Sequence, residues 1–241
     1  MSYDVKDDDA ARRLWMIGVG LAREAEHPQS SDLVVYLLAD MALQALRLHR
    51  PEEALRLVRL GHTAAVSPHP VSASTLSLLT NIEARTLAVR GDAAGCDRAL
   101  DQALEQVAAI DPATAPPWTA YISNTGISGH QGAAHYTLAL TSRDPRTAGR
   151  AVSLLHQAID GFGPDYASLR AYYLPDLAGA HALAGDIDTA VALGHQAIDA
   201  VTALHSPDAC DQLRVLNTTL APLATSPGVT ELRGRLATTA T

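Results

Sequence analysis

The sequence predicts an all-α fold of stacked, antiparallel helix pairs, with about eleven helices and no strand. The pentapeptide His-Gln-Ala-Ile-Asp at residues 156–160 returns at 195–199, an interval of 39 residues. A motif that returns at such an interval inside helix-like segments is typical of a solenoid, in which each helical unit buries its apolar face on the next. Apolar residues make up 47% of the chain, and the dominance of Ala and Leu favours helices over strands.

The first predicted helix spans residues 9–26. The aspartates at 7–9 stand where a helix N-terminus favours negative charge, and Pro28 ends the helix. Apolar residues recur along it at helical spacing and form one stripe, which consists of Leu14, Ile17, Leu21 and Ala25. We expect this helix to cap one end of the array by covering its exposed apolar face.

Prolines, glycines and capping residues place the remaining helices. The expected helices run over about 31–49, 51–65, 72 or 74 to 90, a partner that ends near 109, 118–141, 145–161, 165–184 and a partner that carries the second pentapeptide, and two more open at Pro207 and Pro227. Gly91-Asp92 and Gly185-Asp186 are predicted turns that lead into the two partner helices. Gly126, Gly129 and Gly132 are expected to interrupt the segment 118–141.

Small residues recur at matching positions of four predicted helix pairs. In each second helix two of them stand seven apart, and the four sets are Ala54/Gly61, Cys96/Ala103, Ala151/Ala158 and Ala190/Ala197. Twelve positions before each set stands an alanine in the first helix, namely Ala42, Ala84, Ala139 and Ala178. We expect these residues to be buried where helices approach closely, because packed interiors leave no room for bulk.

This spacing resembles the tetratricopeptide repeat, whose pattern places one small residue in the first helix and two alanines seven apart in the second. The match covers about 33–204 in four units, with intervals of 42, 55 and 39 residues between the first-helix alanines. The resemblance implies a right-handed superhelical solenoid. It implies an acidic tail and capping helix at 1–30, four helix pairs at 31–205 with an insertion at 111–132, and capping helices at 206–241.

Two longer segments, 116–140 and 169–198, are similar to the C-terminal sensor half of Cro/repressor-type helix-turn-helix regulators from high-GC bacteria. In that family the helical repeats follow an N-terminal DNA-binding domain. We expect no such domain here, because the first 30 residues read as one helix and an acidic tail. The resemblance therefore implies a sensing or interaction role in transcriptional regulation, without direct nucleic-acid binding.

Composition supports the same expectation. The chain has 18 Lys and Arg against 26 Asp and Glu, a formal net charge of −8, which repels a phosphate backbone. Cys96 and Cys210 have no disulfide or metal-ligand spacing and are interpreted as thiols in a reducing cytosol. There is no signal-peptide core and no apolar run of the roughly 20 residues that cross a bilayer. We therefore expect a cytoplasmic protein without a membrane partner.

No nucleophile, phosphate-binding or dinucleotide-binding motif occurs, so we expect no cofactor and assign no catalytic residue. The ten histidines leave a metal site as the weaker alternative to no metal at all. Its candidates are His130, His135 and His181, because the first two flank Gly132 and the third lies on the next first helix.

In tetratricopeptide arrays the first helix of each pair lines a concave groove. The resemblance places ten candidate ligand-binding residues in or over this groove, namely Tyr36, Asp40, Asn81, Arg85, Trp118, Tyr121, Asn124, Tyr136, Tyr172 and Asp176. Asn81 and Arg85 lie four apart on one helix face, where they could hold a carboxylate or a peptide amide. The tyrosines offer flat apolar area with a polar tip, and Trp118 in the insertion could fold over the groove.

These observations favour a regulatory helical-repeat protein that recognises a peptide, a protein or a small ligand in its groove. Two alternatives stay open. One is an enzyme or biosynthetic accessory protein that uses His130, His135 and Tyr136, and the lack of catalytic motifs argues against it. The other is an oligomerisation scaffold, and a homodimer is among the partners considered.

Overall fold

The computed structural model describes residues 7–67, 69–119, 122, 124–204 and 207–239, with the backbone alone at 124, 164, 207 and 208. Over these residues the chain forms eleven α-helices and no strand, which confirms the all-α prediction. The chain divides into two compact units, Met1–Ile127 and Ser128–Thr241, which are described separately.

The first unit contains five complete helices: α1 (Asp8–Glu24), α2 (Ser30–Arg47), α3 (Pro51–Ala65), α4 (Ala73–Val89) and α5 (Ala93–Ala108). Side chains cap three of them, because an oxygen of Asp7, Ser72 or Asp92 accepts a hydrogen bond from the backbone N–H three residues later. Helix α1 packs on α2. The pairs α2–α3 and α4–α5 form helical hairpins, and α4 packs on both helices of the preceding hairpin.

Helix α6 (Asn124–Ser142) differs from its prediction in two ways. It begins after a separate 3-10 turn at Pro117–Thr119, so Trp118 lies outside it. It is also continuous through its glycines, and the predicted interruption is wrong. Glycine here permits close packing, since a Cβ at Gly132 would lie 2.6 Å from Leu155 Cγ.

The second unit continues with α7 (Pro145–Gly161), α8 (Ala167–Ala184), α9 (Ile187–Leu204), α10 (Pro207–Leu220) and α11 (Pro227–Thr239). The predicted turn between α8 and α9 is present, and Gly185 takes the left-handed conformation there, with φ of 93°. Helix α8 packs against α7 and α9. The last hairpin then extends the stack, with α10 on α8 and α11 on α9. No helix among the described residues combines the length and the apolar character that crossing a bilayer needs.

The predicted burial of the repeating small residues is confirmed. Ala42, Ala84, Ala139 and Ala178 have no exposed surface. The paired small residues of the second helices, Ala54/Gly61, Cys96/Ala103, Ala151/Ala158 and Ala190/Ala197, are all buried as well. Gly61 shows why size matters, because a Cβ there would lie 2.9 Å from both methyl carbons of Leu79 on the next hairpin.

The repeated pentapeptide uses its histidine in the same way twice. His156 Nε2 on α7 lies 3.2 Å from His181 Nε2 on α8, the helix that stacks next. His195 Nδ1 on α9 accepts a hydrogen bond from Arg235 Nη1 on α11 at 2.7 Å. Arg235 also donates from Nη2 to Asp199 Oδ1 at 2.7 Å. The motif therefore supplies a polar link between successive hairpins.

Helix α1 buries a different face from the apolar stripe found in the sequence. Leu14, Ile17 and Leu21 are 60%, 59% and 64% exposed, whereas Ala11 and Ala22 are buried. At 100° per residue the two alanines lie about 120° and about 140° round the helix from Ile17. Small residues on the inner side let α1 approach α2 closely, so the large side chains of the stripe point outward.

In the second unit Tyr136 crosses α8 where a glycine makes room for it. Its ring lies directly on Gly179, and its hydroxyl is 2.8 Å from Thr219 Oγ1 on α10. A side chain at Gly179 would block this path, so the glycine allows α6 and α10 to be linked across α8.

Replacing Gly179 with Ala should lower the free energy of unfolding by about 1–3 kcal/mol, because the added methyl group overlaps Tyr136. Urea denaturation followed by circular dichroism measures the change. The matched control is Gly149→Ala on α7, where an added Cβ meets nothing within 4 Å. That variant should gain about 0.5–1 kcal/mol through helix propensity. Equal effects of the two substitutions would contradict the packing described for Tyr136.

Candidate functional site

The predicted groove residues of the second unit are occupied by contacts within the unit. Tyr136 and Asp176 are buried, and α10 supplies the partner of the Tyr136 hydroxyl. Burial, and next the carboxylate of Asp176, raise the pKa of Tyr136 well above its ordinary value. Tyr172 is half-buried, and its hydroxyl accepts a hydrogen bond from Gln212 Nε2 on α10 at 3.1 Å. Both tyrosine hydroxyls on this face therefore already bond to α10.

The histidines proposed as an alternative metal site do not come together as a ligand set. His181 directs its two ring nitrogens elsewhere, with Nε2 towards His156 and Nδ1 at 3.1 Å from Asp186 Oδ2. His130 lies edge-on to the Tyr173 ring, with 6.4 Å between ring centroids, and His135 is buried. Among the described residues, no group of three or more His, Cys, Asp or Glu side chains is arranged to hold a metal ion.

The environment of His181 favours the neutral imidazole. Burial lowers its pKa, and the nearby Asp186 carboxylate opposes this effect only in part. A neutral ring that donates from Nδ1 to Asp186 keeps the Nε2 lone pair as an acceptor for His156. This arrangement satisfies both nitrogens as a link between hairpins.

The predicted groove residues of the first unit lie on two helices that pack together. Tyr36 and Asp40 are one turn apart on α2, and Asn81 and Arg85 are one turn apart on α4. Trp118 joins them from the 3-10 turn, with its ring centroid 6.5 Å from that of Tyr36 and the planes inclined by 56°. Arg85 is half-buried. Tyr121 lies outside the described residues, and Asn124 is described only as the first residue of α6.

Two polar atoms of this face are buried with unused hydrogen-bonding capacity. Asn81 is fully buried, and its Nδ2 donates to the Ser77 carbonyl oxygen at 2.8 Å, but its Oδ1 accepts no hydrogen bond from any described residue. The indole N–H of Trp118 is likewise buried and has no acceptor among the described residues. Most buried polar groups in proteins are hydrogen-bonded, so one unused acceptor and one unused donor here need an explanation.

Asp40 is the third unusual group. Burial raises the pKa of its carboxyl from the ordinary 3.8 to about 7, and among the described residues burial is the one cause resolved for this shift. Contact with a cation would stabilise this carboxyl, because the cation favours the ionised form that burial disfavours.

An apolar cleft of about 1020 Å³ opens elsewhere in the first unit, between α1, α2 and the C-terminal half of α3. Its apolar lining consists of Val19, Ala22, Val34, Leu38, Leu60 and Ala64. Arg12 Nη2 and Glu53 Oε1, 2.9 Å apart, hold the other ends of α1 and α3 together. At the rim, the hydroxyl groups of Ser31 and Ser67 share a hydrogen bond of 2.9 Å.

This cleft was not predicted from the sequence, in which the outer stripe of α1 is the more prominent apolar pattern. A second set at helical spacing, Trp15, Val19 and Ala22, faces α2 and α3. That set was the available signal. The cleft can accept an apolar group, but it lacks the unused polar atoms found beside Tyr36 and Asp40.

No protein-family model matches the chain, and no curated protein matches it. A function must therefore be argued from the chain's own residues and their geometry.

The raised pKa of Asp40 should make stability depend on pH. The carboxyl binds its proton more tightly in the folded than in the unfolded chain. Its contribution to the free energy of unfolding is therefore greatest below about pH 4 and is lost as the pH rises through about 7. The free energy of unfolding falls by up to ~4 kcal/mol over this range, and solvent that screens the carboxyl makes the fall smaller. Asp40→Asn removes this titration, so its stability relative to the native chain should rise with pH.

Denaturation of both proteins at about pH 4.5, 6 and 8 measures the effect. Asp101→Asn, at an exposed site on α5, is the control for the loss of one negative charge. A stability difference between Asp40→Asn and the native chain that stays constant across this range would contradict the raised pKa.

Proposed function

We propose that this protein is a helical-repeat binding module with a regulatory role, and that its first unit recognises a peptide, protein or small ligand carrying a cationic group. The site is the face formed by Tyr36, Asp40, Asn81 and Trp118, hereafter the α2/α4 face. The observation that carries the proposal is the Asp40 carboxyl, whose burial raises its pKa with no opposing charge resolved among the described residues, a state that favours a cationic partner.

The aromatic side chains explain why the partner would be a cation of the ammonium or guanidinium type. Tyr36 stands one turn from Asp40 on the same side of α2, and Trp118 packs against Tyr36. A cation placed between a carboxylate and aromatic ring faces gains a charge-assisted hydrogen bond and a cation–π contact together. Lys and Arg side chains of a peptide, and small amines, carry such groups.

The unused polar atoms explain why a peptide is favoured over a bare amine. A peptide backbone offers both an N–H donor and a carbonyl acceptor. These complement Asn81 Oδ1 and Trp118 Nε1–H, which have no partner among the described residues. Both atoms are buried, so side chains of the α2/α4 face must move before a ligand can reach them. Ligand binding would then satisfy two groups whose burial is otherwise costly.

The resemblances support the regulatory setting. Tetratricopeptide-like arrays present ligands to the first helices of their pairs, and α2 and α4 occupy that position here. The similarity of segments 116–140 and 169–198 to sensor regions of bacterial regulators supports a sensing role in the cytoplasm. We infer that the chain acts as such a sensor without contacting nucleic acid, in keeping with its net charge of −8.

Random-sequence peptide pools with a fixed central Arg, Lys, Glu or Leu test the proposal directly. The native chain should retain the Arg and Lys pools in preference to the others. Asp40→Asn should weaken that retention about tenfold or more, because it removes a charge-assisted hydrogen bond. Asp101→Asn, which changes the net charge equally at an exposed position, should leave it unchanged. Equal retention of the four pools by the native chain would exclude a cation-recognising face.

Affinity for a selected basic peptide should also depend on pH. Binding needs the ionised carboxylate, and the free carboxyl has a pKa of about 7. Affinity should therefore fall about tenfold between about pH 8 and pH 6 as Asp40 takes up a proton. Calorimetric titration at the two pH values measures the change. In Asp40→Asn the residual affinity should vary little over this range, and a tenfold fall that persists in the variant would assign the titration to another group.

A further inference from the structure

The outward face of α1 has the character of an interaction surface. Leu14, Ile17 and Leu21 recur at helical spacing, and each is more than half exposed. Met16, also more than half exposed, widens the face. The opposite side of α1 packs on α2, and the outward face has no cover among the described residues. A continuous stripe of large aliphatic side chains on a helix is typical of a surface that meets a partner.

A glycine flanks this stripe, about 60° round the helix from Ile17. Gly20 is exposed, and a Cβ added there meets no described atom within 4 Å. Glycine inside a helix is destabilising relative to alanine, and no contact within the described chain requires it at this position. It leaves a shallow gap beside Ile17 and Leu21 into which a side chain from another helix can fit.

We propose that α1 pairs with α1 of a second copy of this chain, antiparallel, about a two-fold axis that passes near residue 18. In that register Ile17 packs into the gap at the partner's Gly20, and Leu14 lies beside the partner's Leu21. The midpoint of each contacting pair along the helix falls between residues 17 and 19, close to the axis. The two-fold symmetry makes each contact occur twice. One crossing point therefore buries the stripe of both helices at once.

The charges beside the stripe select this partner and this direction. Arg13 and Glu24 are exposed on the same side of the stripe, and the point midway between them is also near residue 18. An antiparallel two-fold pairing places the same sides of the two helices together, so Arg13 lies next to the partner's Glu24 on both sides of the axis. A parallel two-fold pairing would bring opposite sides of the two helices together and set Arg13 beside the partner's Leu14, with no carboxylate to meet it. The surface is therefore complementary to itself only in the antiparallel arrangement.

The interface is small. Helix α1 has 17 residues, and a contact made by one helix of that length buries less than the ~800 Å² per subunit typical of stable complexes. The dimer should therefore be reversible, with monomers and dimers exchanging over the accessible concentration range.

Sedimentation velocity of the full chain, from about 1 to 200 µM, tests the proposal. The native chain should shift from monomer to dimer with rising concentration. Ile17→Asp places two carboxylates near the axis and should raise the dissociation constant by at least about tenfold. Leu60→Asp is the matched control, since Leu60 on α3 is similarly exposed and lies outside the proposed contact. A native chain that stays monomeric at every concentration, or a dimer that Ile17→Asp leaves intact, overturns the proposal.

Charge reversal tests the direction of the pairing. Arg13→Glu and Glu24→Arg should each weaken self-association, and the double variant should restore it because the opposite charges meet again. A mixture of the two single variants should form heterodimers more tightly than either variant forms homodimers. A double variant as weak as the single ones overturns the antiparallel register. Trp118 of the α2/α4 face lies beside Ala22 and Ala25 of α1, so peptide binding by each variant is measured alongside its self-association.

Discussion

Close approach between helices is the constraint on which the rest of this structure depends. The recurring small residues of the paired helices, which are Ala, Gly or Cys, are all buried, and Ala42, Ala84, Ala139 and Ala178 have no exposed surface. Packed interiors have no spare volume, so a larger side chain at these points would separate the backbones and weaken every contact around them. Small side chains at the contact do not prevent one helix from sliding along the other. Larger polar side chains at the edges of the contact can fix the relative position of the helices. The polar links made by His156 and His195 serve that purpose.

The same constraint leads to different outcomes in the two units. In the second unit Gly179 makes room for Tyr136 to reach α10, so the face of the first helices is filled by its own side chains. In the first unit the corresponding helices keep buried polar atoms, at Asn81 and Trp118, that have no hydrogen-bond partner among the described residues. A filled face contributes to stability, whereas unsatisfied buried groups cost stability unless a ligand meets them. The proposal that the first unit binds the ligand rests on this difference.

Helix α1 shows how side-chain size decides which face is buried. It carries two apolar faces, one with Ala11 and Ala22 and one with Leu14, Ile17 and Leu21. The face of small residues allows the closer approach to α2, and Gly18 adds to it, with Leu37 Cδ1 3.0 Å from the position of an added Cβ. The larger residues are therefore left for a second surface. The proposed pairing of two copies would bury them without disturbing the packing within the unit.

Periodicity, capping residues and glycine or proline positions determined the helices of this protein, because these signals act within one turn of the chain. They placed α3 from Pro51 to Ala65 and identified the buried alanines. Only the tertiary structure decided which apolar face of α1 is inside, that Tyr136 bonds to Thr219, and that His181 turns to His156 and Asp186. The physical reason is that a repeat pattern gives the direction of a side chain around its own helix. What lies in that direction depends on neighbouring helices, whose distance and angle are set by packing across the whole unit.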